Sequence, residues 1–245
     1  MTILPASLIP ADEPTRLRTL HHYQVLNTTP EHLFDEFVAL AAQLFNLPIS
    51  LISLVDEEQV FFKANTGLPG LERVGRADSL CSAAILQDTV LTYNDLSQQG
   101  CSLINPYVAQ SAGLRFYAGA ALRMADGSNI GSLCVIGREA RSITTQEEQL
   151  LMLLAKLVCR TVELRHCYLQ ANRPADWQTA QEALQELLRD NSALARYLTS
   201  RTGTVSANDQ DMRALERRLE LVHRAFDGYM AEFTSAEHGS AAVAR

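Results

Sequence analysis

The stretch GLRFYAGAALRMADGSNIGSLCVIG, residues 113–137, constrains the fold more than any other part of the chain. Two apolar runs flank the polar turn ADGSN, the pattern of an antiparallel strand pair folded on itself. The first strand runs to Ala and Gly but opens on Arg115, Phe116 and Tyr117. A charge and two large rings at one strand end suggest that this end closes over something. Alternation along a strand sends the two rings to opposite faces, so Arg115 shares a face with only one of them.

Around this hairpin the chain divides into three zones. Residues 11–46 read as helical. PEHLFDEFVALAAQLFN places Leu33, Phe34, Phe37, Leu40, Ala41 and Leu44 on one helical face, with Pro30 suited to the first turn. Residues 47–137 are strand-rich: PISLISLVDE, QVFFKANTG and TVLTYND read as strands. ADSLCSAAILQ reads as a short helix, and NPYVAQSAGL as a short helix or loop. Strands mixed with helices and ending in an antiparallel pair predict an α+β fold on a mostly antiparallel sheet.

Residues 144–245 read as helical throughout. Thr144 and Glu147 have capping-box spacing, and the stripe beyond them is Leu150, Leu154, Leu157, Thr161, Leu164 and Tyr168. Trp177, Ala180, Leu184, Leu187, Asn191, Leu194 and Leu198 then step by 3 and 4, a heptad seam with Asn191 at an a-type position. Met212, Leu215, Leu219, Val222, Phe226, Tyr229 and Phe233 repeat the rhythm after the loop RTGTVSAND, which predicts an α-helical hairpin. The tail SAEHGSAAVAR is expected to fray. The expected units are an N-terminal arm (1–14), a domain with its terminal helices (15–172), and the C-terminal helical hairpin with its tail (173–245).

The chain has 245 residues, a net charge of −7 and 47% hydrophobic residues, ordinary for a soluble globular protein. No basic run exists to neutralise phosphates, which argues against nucleic acid and against an anionic membrane surface. No apolar run approaches a membrane span, and the first residues do not read as a secretory signal. The five cysteines show neither C-x-x-C spacing nor a nearby His at zinc-ligand spacing. Reduced thiols in the cytoplasm are expected, with no metal and no cofactor.

Residues from about 15 to 170 resemble a GAF domain of the type common in bacterial signalling proteins. The resemblance is carried by LFDEFVALAAQLFNLPISLISLVDEEQVFFKANTGL, SLCSAAILQD, Asn105 with PYV, and above all LRFYAGAALRMADGSNIGSLCVIG. It implies a GAF-like central antiparallel sheet with flanking helices on one face and a small-molecule pocket under loops on the other. It also implies terminal helices that run together as a dimer bundle. The ligand-binding candidates are Phe62, Asp78, Cys81, Tyr93, Asp95, Tyr107, Arg115, Phe116 and Tyr117.

Cys81 is the strongest single candidate for chemistry, since a thiol near a helix start is more readily ionised. Relatives of this type often carry a His three residues later, whereas this chain has Ala84, so a Cys–His mechanism is not expected. A bilin-binding Cys beside a His is not found in NPYVAQSAGL, and the cyclic-nucleotide signature fails because Pro106 follows Asn105. His166 and His223 lack a phosphotransfer context and read as solvated or interfacial.

The expected protein is a cytoplasmic, non-enzymatic regulator. Its GAF-like domain binds a small molecule of unknown identity, and its helices serve a homodimer or dock a protein partner at 173–233. No kinase, cyclase, phosphodiesterase or DNA-binding module follows, so output is expected to pass through the helices or a separate protein. One alternative is a thiol-based reductase of the free methionine sulfoxide type, using Cys81 with Cys101 or Cys134. A second is a ligandless assembly scaffold.

Overall fold

The computed structural model describes residues 5–98, 112–202 and 209–241. Six strands form one sheet: β1 (Ile49–Val55), β2 (Gln59–Thr66), β3 (Arg73–Gly75), β4 (Leu91–Tyr93), β5 (Phe116–Arg123) and β6 (Asn129–Gly137). Their order is β3-β2-β1-β6-β5-β4, and every pairing is antiparallel. The hairpin of residues 113–137 is β5–β6, with β6 beside β1 at the centre of the sheet and β5 next to the edge strand β4. Gly127, with φ +87°, takes the left-handed position its turn requires.

The helices are α1 (Glu13–His22), α2 (His32–Leu44), α3 (Leu80–Ala84), α4 (Thr145–Gln170), α5 (Pro174–Thr202) and α6 (Asp209–Ala241). Helix α2 packs on β1 and β2, and α4 packs on β5 and β6 of the same face. Strand alternation supplies that face with Ile52, Leu54, Phe116, Ala118, Leu133 and Val135, all buried in one core with Phe34 and Phe37 of α2 and Leu154 and Leu157 of α4. Burying each of the larger side chains among these contributes roughly 1.5–3 kcal/mol. The short helix α3 lies across the other face.

The α4 start is the capping box the spacing predicts. Thr144 Oγ1 accepts from Glu147 N at 3.2 Å, and Thr144 N donates to Glu147 Oε2 at 2.9 Å. The predicted stripe from Leu150 to Tyr168 is buried throughout. Pro30, in contrast, falls before the helix. Glu31 is the extended N-cap of α2, and its carboxylate is held by distant side chains rather than by its own helix.

Helices α5 and α6 form the hairpin that the 3–4 rhythm predicts, and they join the core of the same chain. Helix α5 packs on α2 and on α6, while α6 also packs on α4. Trp177, Ala180, Leu184, Leu215, Leu219 and Phe226 are buried with residues of α2 and α4. Asn191 is buried and donates to Leu187 O of its own helix at 2.7 Å. Helix α6 continues to Ala241, beyond the point where the tail is expected to fray. That tail holds no proline, and extending a helix already nucleated costs little per residue. No helix among the described residues is long and apolar enough to cross a membrane.

Candidate functional site

The sheet face opposite α2 and α4 carries a second, smaller core. Alternation presents Ile49, Leu51 and Val55 from β1, Val60 and Phe62 from β2, Tyr117 from β5, and Cys134 and Ile136 from β6. Helix α3 closes over them with Leu80 and Cys81. Between sheet and helix lies a cavity of about 130 Å³, walled chiefly by Leu51, Phe62, Leu80, Leu114 and Ile136. Asp78, Cys81 and Tyr117 bring polar atoms to this apolar wall.

Tyr117 is fully buried, and it lies over a position where only glycine fits. A Cβ on Gly119 would come within 2.3 Å of the Tyr117 hydroxyl oxygen. The tyrosine hydroxyl donates to Cys81 Sγ at 3.7 Å, and the Cys134 thiol lies 3.9 Å from the same sulfur. Below them Ser53 and Ser132 share a hydrogen bond at 2.9 Å. Cys81 is thus a hydrogen-bond acceptor at the floor of the cavity. The bond from Cys134 pulls its thiol below the ordinary value of 9.0, burial opposes this, and Ser132, Ser53 and Ser79 add to it. The same contact, with burial, raises Cys134. Burial above all raises Tyr117, which keeps its proton and remains a donor.

The nine candidate residues divide into groups. Phe62, Asp78, Cys81 and Tyr117 line the cavity. Tyr93 packs against the same small core from β4, opposite Tyr117 in the register. Arg115 and Asp95 form a two-pronged ion pair, with both nitrogen–oxygen distances 2.7 Å, beyond the cavity wall. Those two bonds hold the Asp95 carboxyl well below the usual carboxylate range, with Ser97 contributing. The structure does not bring Phe116 to the cavity. It is fully buried in the helix-side core beneath the Arg141 guanidinium, because alternation separates it from Tyr117. Tyr107 and Cys101 lie outside the described residues.

A cleft of about 480 Å³ along the outer edge is larger, and its lining includes Glu13, Glu57, Glu58, Arg76 and Asp78. Arg76 is committed there to Glu13 and to the carbonyls of Leu8, Asp56 and Glu57. The smaller cavity is apolar, walled by the sheet, and holds convergent polar groups, features that small-molecule sites share.

A buried polar node on the helix side has no counterpart in the sequence reading. The β1–β2 register slips between Ile52 and Ser53, so that Ser53 faces Phe62 while Ile52 faces Ala64. Lys63 shares the helix side with Phe61 by plain alternation, and as the extra residue of a β-bulge it is followed by Ala64 on that same side. Its ammonium donates to Thr28 Oγ1 at 2.6 Å, Thr29 O at 3.0 Å and Glu31 Oε1 at 2.7 Å. Glu31 also accepts from Arg165 of α4 at 2.9 Å and from the Trp177 indole of α5 at 3.2 Å. One carboxylate therefore ties β2 to two helices, and the neighbour of Lys63, Phe62, lines the cavity.

Sheet order, a helix-covered face and a cavity under a short helix on the other face together define a signalling-type GAF domain. The GAF domain family model matches residues 29–162, and the chain belongs to that family, with a sensory and regulatory role. It is 37% identical over 150 residues to a cyclic di-GMP phosphodiesterase of Pseudomonas aeruginosa, a match covering 61% of this chain and 25% of that protein. The chain thus spans a quarter of the length of the curated relative it matches. Among solved structures it is similar to the GAF domain region of a Geobacter sulfurreducens membrane protein, at 20% identity and TM-score 0.45, covering 60% of this chain and 96% of that one. It is also similar to the blue-light-absorbing PixJ GAF domain of Thermosynechococcus elongatus, at 16% identity and TM-score 0.48, covering 66% and 95%. The expectation of a non-enzymatic protein does not stand, because the curated relative is named as a phosphodiesterase.

Proposed function

We propose that the chain is the sensory part of a protein that turns over cyclic di-GMP, and that its cavity binds a small, largely apolar effector. The chemistry of the wall supports this reading. A dry apolar cavity of about 150 Å³ in another protein takes up benzene or xenon. This one has about 130 Å³, with a thiol, a phenol and one carboxylate at its edge. A cyclic dinucleotide is far larger than that volume, so the link to cyclic di-GMP runs through regulation rather than through occupancy of this cavity.

The β2 bulge carries the second half of the proposal. An effector pressing on Phe62 acts on the residue next to Lys63, whose ammonium is fixed to Glu31. Glu31 in turn holds Arg165 and Trp177, so a displacement of β2 reaches α4 and α5 through charged hydrogen bonds. A ligand shifts the helices only by as much as its affinity differs between their arrangements. Residues 173–245, as the helical extension, then carry the response.

Benzene serves as the probe, read by methyl NMR of the full chain. The Leu51, Leu80 and Leu114 methyls are expected to shift in a saturable way, while Leu184 and Leu215 lack direct ring-current shifts. Leu71→Trp, at the half-buried cavity rim, is expected to abolish the response. Unchanged Leu51, Leu80 and Leu114 methyls at saturating benzene would refute the cavity as a binding site.

A further inference from the structure

The effector reading leaves the sulfur pair unused. Cys81 and Cys134 come from elements 53 residues apart, yet their sulfurs lie 3.9 Å from each other. The two positions are unequal. Cys81 lines the cavity, whereas Cys134 is fully buried behind it on β6 and does not. A small molecule in the cavity therefore meets Cys81 first, and Cys134 stands within reach of whatever forms there. The Tyr117 hydroxyl points at Cys81 Sγ and stabilises negative charge on it.

We propose that Cys81 and Cys134 are an oxidisable dithiol, in which Cys81 reacts with a small hydroperoxide entering the cavity and Cys134 resolves the product as a disulfide. The Cys81 thiolate attacks one oxygen of the hydroperoxide. The S–O bond forms as the O–O bond breaks, and the proton lost from Cys81 passes to the departing alkoxide or hydroxide. Cys81 is now a sulfenic acid, and the peroxide has left as an alcohol or water. Cys134 then attacks Cys81 Sγ, the S–O bond breaks, and water leaves with the Cys134 proton. Overall two thiols lose two electrons and two protons, and one hydroperoxide is reduced to an alcohol (or water) and a water. An external dithiol reverses the change by supplying two electrons.

The outcome would matter to the sensor. A disulfide joins α3 to β6 across the cavity floor and removes the thiol from the wall. The assignment of Cys81 as attacker and Cys134 as resolver follows from access alone, since the approach to Cys134 passes Cys81.

Peptide mapping of the full chain after hydrogen peroxide treatment, with free thiols alkylated before unfolding is complete, tests the proposal. The expected result is a Cys81–Cys134 linked peptide, lighter by two hydrogens than the sum of its parts and lost on treatment with dithiothreitol. In Cys134→Ala the link cannot form, and Cys81 is expected to accumulate as a sulfenic acid trapped by dimedone. In Cys81→Ser, Cys134 is expected to stay reduced at peroxide concentrations that convert the unaltered chain. A Cys81 that alkylates fully after peroxide, or one that links only to Cys101 or Cys167, overturns the proposal. Because the linked peptide is read in the unaltered chain, the test does not depend on the variants folding.

Discussion

At the scale of single residues, one glycine decides whether the sheet closes. A Cβ on Gly131 of β6 would lie 1.9 Å from the Ser53 carbonyl oxygen of β1, and backbone cannot yield as a side chain can. Gly131→Ala is expected to cost about 3 kcal/mol, the upper range of overpacking in a rigid site, read as a lowered urea midpoint. Charge makes a separate demand at Glu13. Its carboxylate accepts from Arg16 at 2.7 Å and from Arg76 at 2.5 Å, and both guanidiniums are buried. Burial raises the Glu13 pKa, but the bonds to Arg16 and Arg76 outweigh it and leave it below the ordinary 4.5. A folded-state pKa lowered in this way gives stability that is present above about pH 4.5 and lost as pH falls through the folded value. Thermal melts across that acid range are expected to show Glu13→Gln losing less stability with falling pH than the unaltered chain does.

At the scale of elements, the sequence showed what repeats and concealed what is paired at a distance. The apolar runs ISLISLV and GSLCVIG mark strands, and the α4 stripe and cap follow from their spacing. Strand alternation separates Phe116 from Tyr117, although both stand among the ligand candidates. Cys81 and Tyr117 were legible as candidates, but the contact between them was not. The β2 bulge left no sign, because QVFFKANTG reads as a regular strand. The partners of Glu31 lie 32, 134 and 146 residues away, so no local pattern could announce them. Glu31→Gln leaves two buried cations without their carboxylate, and the expected cost is about 3–5 kcal/mol. Equilibrium denaturation reads this loss, and a cost near zero would mean that the node holds nothing together.

At the scale of the whole molecule, the heptad rhythm correctly signalled two paired helices without saying against what they pair. The structure answers within one chain. Helix α5 lies on α2, with Arg189 paired to Glu36 at 2.7 Å, and α6 lies on α4, with Arg160 paired to Asp227 at 2.9 Å. Seam residues such as Leu184, Leu215 and Phe226 are fully buried in the shared core, so this seam is not free for a second chain. A change at the cavity can therefore reach α5 within the same molecule, through β2 and Glu31.

That route contains the chain's only tryptophan, Trp177, which makes it directly observable. The decisive measurement is Trp177 emission during a benzene titration, with the Leu51 methyl shift followed on the same samples. The account predicts that emission changes with the same midpoint as the methyl shift. In Lys63→Met the methyl shift is expected to persist while the emission change is lost. A cavity that fills while Trp177 emission stays constant in the unaltered chain would contradict the coupling of the GAF cavity to its helices.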